Sequence, residues 1–207
     1  VKGALADIKI LDLTMVYAGP FCTMLLADFG AEVIKIEMPG KGDDTRDFAP
    51  FVNGESTYYA NVNRNKKGIT LNLKSEEGKK IFFEMLKDAD MVIENFRPGV
   101  MKRLGLDYEA LSKVNDKIIY GAVSGFGQYG PYKDRPGYDI IAQAMGGLMS
   151  ITGWDERATR VGNAMGDVLG GISLCVGLLA ALNARKLTGK GQLVDVSLVD
   201  SVVSSLE

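Results

Sequence analysis

"IKILDLTMVYAGPFCTMLLADFGAEVIKIE", residues 8–37, decides the fold. Its two ends, "IKILDLT" and "AEVIKIE", are short β-branched runs that place apolar side chains on both alternating faces. Strands of that kind are covered on both sides, which is the condition of a parallel sheet. The middle reads as a crossover helix, with Pro20 in its first turn and Gly30 as its stop. Strand, helix and strand in this order predict an α/β protein with a mainly parallel sheet.

Further along, "GITLNL", "ADMVIENF", "KIIYGAVS" and "QLVDVSL" read as strands of the same type. "SEEGKKIFFEMLKDA" supplies another amphipathic crossover helix, with a Ser75 cap and two early acids. Residues 39–64, rich in Gly, Asp, Asn and aromatics without a sustained period, predict a long ordered loop. A second irregular stretch, "GFGQYGPYKDRPG" at 125–137, follows the fifth predicted strand, at the end of the sheet where open α/β folds bind ligands. With 207 residues, 46% hydrophobic and 24% charged, the chain has room for one sizeable core, and a single domain over 1–207 is expected.

Composition narrows the chemistry. The net charge of −2 is spread over interspersed acids and bases, which speaks against nucleic-acid and anionic-membrane partners. Cys22 and Cys175 both lie in apolar stretches, so buried thiols in a reducing compartment are expected rather than a disulfide framework. The start, "VKGALADIKILDLT", has acids among its apolar residues and no long hydrophobic region, so a cytoplasmic location is expected. Val168–Ala184 is uncharged but short and glycine-containing, which favours a buried helix over a membrane span. The absence of histidine excludes Ser/His/Asp and Cys/His nucleophile systems within this chain, and nearly excludes a zinc site.

Two glycine-rich motifs need a physical reading. Gly125, Gly127 and Gly130 match G-x-G-x-x-G, but Pro131, Asp134, Pro136 and Gly137 follow where a dinucleotide site needs a helix, so a turn is the better reading. In "GNAMGDVLGG", 162–171, Asp167 stands alone among small residues at the head of the uncharged helix. As an N-cap it would accept a backbone N–H, with the helix dipole keeping it ionised. Gly166, Gly170 and Gly171 would let a second backbone or a ligand approach. Capping and nucleophilic attack by that carboxylate are compatible.

Taken together, "ILDLTMVYAGPFCTMLLADFGAEVIKIE", "NRNKKGITLNLKSEEGKK", "ADMVIENFRPGVMKRLGLDYEAL", "GYDIIAQAMGG" and "GDVLGGISLCVGLLAALNARKLTGKGQLVDVSLVDS" resemble the family III CoA-transferases, which include formyl-CoA transferase and carnitine CoA-transferase. The resemblance implies a Rossmann-like large domain in an interlocked homodimer, and a chain corresponding to the N-terminal half of a longer protein. It implies transfer of coenzyme A from an acyl-CoA thioester to a carboxylic acid, with no tightly bound cofactor, and with Asp167 forming an aspartyl mixed anhydride and an aspartyl-CoA thioester. Asp139 and Tyr17 become supporting residues. Val16, Ala18, Met38, Leu71, Lys74, Asn95, Phe96, Arg103 and Arg135 become contacts for coenzyme A.

Two positions depart from the family pattern. Tyr17 stands where Gln is common, and Met38 stands where formyl-CoA transferase stacks an Arg on adenine. The glycine-rich loop that covers the carboxylate in formyl-CoA transferase would lie beyond residue 207, so this piece alone is expected to be inactive. Two rival readings share the fold. An acyl-CoA racemase would need a His in the block where this chain has Tyr138, and a non-catalytic CoA-binding module would not need Asp167 for chemistry.

Overall fold

The computed structural model describes residues 3–154 and 157–206. In chain order the first half comprises β1 (Lys9–Asp12), α1 (Ala18–Asp28), β2 (Glu32–Glu37), β3 (Phe51–Val52), β4 (Glu55–Ser56), α2 (Thr57–Asn63), β5 (Lys66–Thr70), α3 (Glu76–Leu86) and β6 (Met91–Glu94). The remainder comprises α4 (Val100–Leu104), α5 (Tyr108–Ser112), β7 (Ile119–Ser124), α6 (Asp139–Met145), β8 (Gly153–Trp154), β9 (Arg157–Ala158), α7 (Met165–Thr188), β10 (Leu193–Ser197) and α8 (Leu198–Val203).

Six of these strands form one sheet in the order β10-β7-β6-β1-β2-β5, and every neighbouring pair in it is parallel. Counted along the chain, that is the 3-2-1-4-5-6 order of the Rossmann fold. Side-chain alternation explains why the strands are apolar throughout. Ile10, Met91, Ile93, Ile119 and Val123 face a core shared with α1 and α7. Leu11, Val92, Ile118 and Tyr120 face a second core with Phe82, Leu86 and Leu111 from α3 and α5. A one-residue slip in any of these strands would exchange the two faces.

The predicted α1 and α3 are both present, and Ser75 caps α3 by accepting the Gly78 N–H at 3.1 Å. Two expectations need correction. The pairing residues near 70 are Lys66–Thr70, earlier and more polar than "GITLNL", because β5 is the sheet's edge and only one side of it is held. Residues 39–64 are more structured than a loop: they hold a 3₁₀ turn at Asp44–Asp47, the β3–β4 hairpin and α2. Local side-chain caps replace periodicity there, since Asp43 accepts from Thr45 N–H and Ser56 from Tyr59 N–H.

Helix α7 is long and apolar enough, by length and composition, to cross a membrane. Here one side of it, including Leu174, Cys175, Leu178 and Ala181, lies against α1 and the sheet.

Candidate active site

In the 3-2-1-4-5-6 order the chain turns in opposite directions after β1 and after β6, leaving a crevice at their carboxyl ends. Asn95, just past β6, bridges that crevice. Its Oδ1 accepts the Met15 N–H at 2.8 Å and its Nδ2 donates to the Met15 carbonyl at 2.7 Å. From the other side the fully buried Lys35 donates to the Thr14 carbonyl at 2.8 Å and to Asp43 at 2.9 Å. Asp43 in turn accepts the Val16 N–H at 3.2 Å. These clamps hold Val16 at φ +67°, a left-handed conformation that a β-branched residue adopts only under constraint, at about 1–3 kcal/mol.

The clamped turn, Met15–Ala18, forms one wall of a cavity of about 220 Å³. Asp44, Asn95–Pro98, Val123–Gly125, Arg135–Tyr138, Leu198 and Asp167 line the rest. Tyr17 and Ala18 begin α1, which no side chain caps, so two helix N-termini, those of α1 and α7, face this space. Both favour negative charge developing there.

Asp167 is not the cap of α7. The cap position is Ala164, and Asp167 lies in the first helical turn. The capping acceptor comes from α6: Asp139 Oδ1 takes the Gly166 N–H at 2.8 Å. Asp139 is buried and fully engaged, accepting from Gln143 Nε2 at 3.0 and 2.9 Å and pairing with Arg160 Nε at 3.3 Å. The Asp167 carboxylate is half-buried and has no hydrogen-bond partner among the described residues. Burial, and then the Asp139 charge, push its carboxyl up to about 7, against a smaller opposing pull from Arg160. The helix dipole, expected to keep Asp167 ionised, opposes this rise but is the smaller effect. A dipole contributes about 0.3–1 kcal/mol near a surface, whereas each pKa unit represents about 1.4 kcal/mol.

The glycines of this segment serve packing. A Cβ at Gly171 would lie 2.7 Å from the Ala18 carbonyl oxygen, and one at Gly166 would lie 3.0 Å from Ala142 Cβ. Gly170 accommodates Leu198. Of the approaches the sequence allowed, these glycines admit neighbouring protein rather than open space.

An aromatic wall stands beside Asp167. Tyr17 stacks on Phe21 at 5.7 Å and meets Tyr58 edge-on at 5.7 Å, and Phe48 meets Tyr58 at 5.6 Å. Burial and the Asp167 charge raise both phenols, Tyr58 to about 12, so both stay neutral donors at physiological pH. Sequence reasoning missed Tyr58, Phe48, Lys35 and Asp43. For Tyr58, Phe48 and Asp43 the density of aromatics and acids within 39–64 is the available signal; Lys35, in β2, carries none.

The sequence-derived residues separate into three groups. Val16, Tyr17, Ala18, Asn95, Phe96, Arg135 and Asp167 share the first cavity. Met38, Leu71 and Lys74 line an adjoining one of about 260 Å³, largely apolar, to which Phe96 and Met15 also belong. Arg103, on α4, faces a third space, which shares Arg97 and Pro98 as lining residues with the first. Asp139 lies behind Asp167 rather than in the cavity wall. The 125–137 loop contains no helix, in agreement with the turn reading of its glycines.

The parallel sheet in 3-2-1-4-5-6 order, with a cavity at its switch point, defines a Rossmann-type α/β protein. The chain belongs to CoA-transferase family III, whose sequence profile matches residues 5–207. It is 50% identical over its whole length to "Acetyl-CoA:oxalate CoA-transferase" of Acetobacter aceti, covering 54% of that protein. It is 49% identical to "Succinyl-CoA:glutarate CoA-transferase" of Mus musculus, over 98% of this chain and 47% of that protein. Among solved structures, a CAIB/BAIF family protein from Brucella suis superimposes with a TM-score of 0.95 at 39% identity, covering 100% of this chain and 56% of the other. The chain thus spans about half the length of the curated relatives it matches.

Proposed function

We propose that the full-length protein containing this chain transfers coenzyme A between an acyl-CoA thioester and a short dicarboxylic acid. The carrying observation is Asp167: a half-buried carboxylate, free of hydrogen bonds among the described residues, opening on a cavity at two helix N-termini. The relatives named above for oxalate and glutarate support a diacid as the carboxylate partner.

In this reading Asp167 attacks the thioester carbonyl, the C–S bond breaks, and coenzyme A leaves as thiolate while a mixed anhydride forms. The thiolate then attacks the aspartyl carbonyl of the anhydride, releasing the first carboxylate and leaving an aspartyl-CoA thioester. The acceptor carboxylate displaces the thiolate to give a second anhydride, and the thiolate finally attacks the acceptor's carbonyl and frees Asp167. No proton transfer is required, which suits a site without histidine. The N-termini of α1 and α7 stabilise the successive oxyanions and the thiolate. Phe96, Leu71, Lys74 and Met38 form the path for the nucleotide end, with Arg103 and Arg97 at its cationic margin.

The protein acts as a homodimer in this reading, because Trp154, Ile151 and Val176 leave apolar surface exposed that further polypeptide would cover. The buried free thiols Cys22 and Cys175 suit a reducing cytoplasm.

Hydroxylamine added during turnover of the full-length protein should leave a hydroxamate on Asp167, read by peptide mass spectrometry. Turnover with no adduct at Asp167 overturns the covalent mechanism. Exchange of the α-proton without CoA transfer replaces it with a racemase.

A further inference from the structure

Glu94 closes β6 and is a buried acid that the mechanism does not use. It is 3% exposed, and no lysine or arginine pairs with it among the described residues. Its oxygens are held by two donors: Oε2 accepts the Phe96 N–H at 2.7 Å and Oε1 accepts the Tyr120 hydroxyl at 3.3 Å. In register with it across the sheet stand Ala122 and then Asp195, a small side chain followed by a second carboxylate. Burial raises the Glu94 carboxyl to about 7, against the pull of its two donors and with a smaller push from Asp195. A carboxylate kept this far from solvent without a cation is destabilising, and an ordinary turn does not need one.

What the carboxylate holds is the exit from β6. The chain is irregular from 95 to 97, where the parallel ladder has ended. There Phe96 finds its acceptor in the side chain two residues before it, while Asn95 ties the same turn to Met15 through both ends of its amide. Two consecutive side chains thus grip the turn, one on its own backbone and one on the exit from β1. Phe96 follows directly and lines both the Asp167 cavity and the apolar cavity of Met38 and Leu71. A hydrogen bond from an N–H to a carboxylate is about twice as strong as one to a neutral acceptor, so it fixes the backbone under that ring more narrowly.

We propose that Glu94 is a positioning residue for coenzyme A, setting through the Phe96 N–H the place of the Phe96 ring that both cavities share. This rests on the coenzyme reading given above. Glu94 also borders the third space, with Arg97 and Arg103, so the competing account is direct action of its charge on a bound phosphate. The two differ in sign. Loss of a positioning acid weakens coenzyme binding, whereas loss of a repelling charge strengthens it.

The test uses the full-length protein, with the Kd of coenzyme A measured by calorimetry and transfer followed from succinyl-CoA to glutarate. Glu94→Leu should raise the Kd and the KM for the thioester about tenfold or more and leave kcat within about twofold, while Glu94→Gln, which keeps an acceptor, should lose only about two- to fourfold. In a Phe96→Ala background Glu94→Leu should add less than about threefold, because the ring through which it acts is gone. An equal loss in both backgrounds overturns the proposal, and so does a lowered thermal midpoint with the Kd unchanged. Tighter binding by Glu94→Gln overturns it in favour of phosphate repulsion. If Glu94→Leu does not fold, the same cycle is run with Glu94→Gln, where a cost that is absent, or equal with and without Phe96, overturns the proposal. The expected pattern in Kd without transfer from any thioester keeps the role of Glu94 and overturns the transferase reading; failure of the unaltered protein to bind coenzyme A overturns both.

Discussion

Asp12 and Asp167 are both carboxylates shielded from solvent near the carboxyl end of the sheet, and they have opposite fates. Asp12 ends β1 with no exposure at all. It accepts from Thr14 N–H at 2.9 Å, Thr14 Oγ at 2.5 Å and Thr23 Oγ at 2.7 Å, and it pairs with Lys66 at 3.0 Å. Burial pushes its carboxyl up, but Lys66, Lys35 and the two hydroxyls outweigh burial and hold it below the ordinary value. Asp167 is less deeply placed, yet it rises to about 7 because burial meets no donor and Asp139 adds a like charge. Shielding alone therefore does not decide which way a carboxyl shifts. The difference lies in whether the oxygens are already bonded.

The largest effect should come from removing the unbonded acid's chemistry. Asp167→Asn in the full-length protein is expected to cut CoA transfer by about 10³-fold or more, while the denaturant midpoint at neutral pH does not fall. On the bonded side, Lys35→Met strands Asp43 and the Thr14 carbonyl. It should lower unfolding free energy by about 3–5 kcal/mol in urea titrations, with loss of the Val16 turn and hence of activity.

The two acids should also differ in their effect on stability with pH. Asp167 has a folded value above its unfolded one, so its contribution is full below about pH 4 and disappears as pH rises through about 7. Asp167→Asn should thus gain on the order of 4 kcal/mol at pH 8 and nothing at pH 3. Asp12 has the opposite sign: its stabilisation is present above its unfolded value and is lost as pH falls through the depressed folded one. If both variants, Asp167→Asn and Asp12→Asn, respond to pH in the same sense, the contrast fails. The smallest effect should be a displacement of the pH–rate profile. Transfer by the unaltered protein should decline below about pH 7 as Asp167 takes up a proton, and Asp139→Asn should move that decline to lower pH by removing the neighbouring charge.

Much of the sheet was legible because both cores impose their pattern on the strands: Ile10 and Leu11, or Val92 and Ile93, are apolar neighbours that face opposite ways. β5 was misplaced because an edge strand of Lys, Lys and Gly carries no such pattern. Asp167 stood out by its isolation, yet its role as a cap was misread because the actual acceptor, Asp139, lies 27 residues before Gly166, whose N–H it takes. Lys35 was invisible for a similar reason. What explains it is two partners brought together only by folding.

That remote acceptor limits what can be moved between proteins. A peptide copied from residues 162–188 would take the acid along and leave behind the group that anchors the beginning of its helix, together with Gln143 and Arg160, which steady that anchor. Transplantation into another scaffold therefore has to include the 138–143 turn of helix as well, or the grafted aspartate will point wherever a frayed end allows.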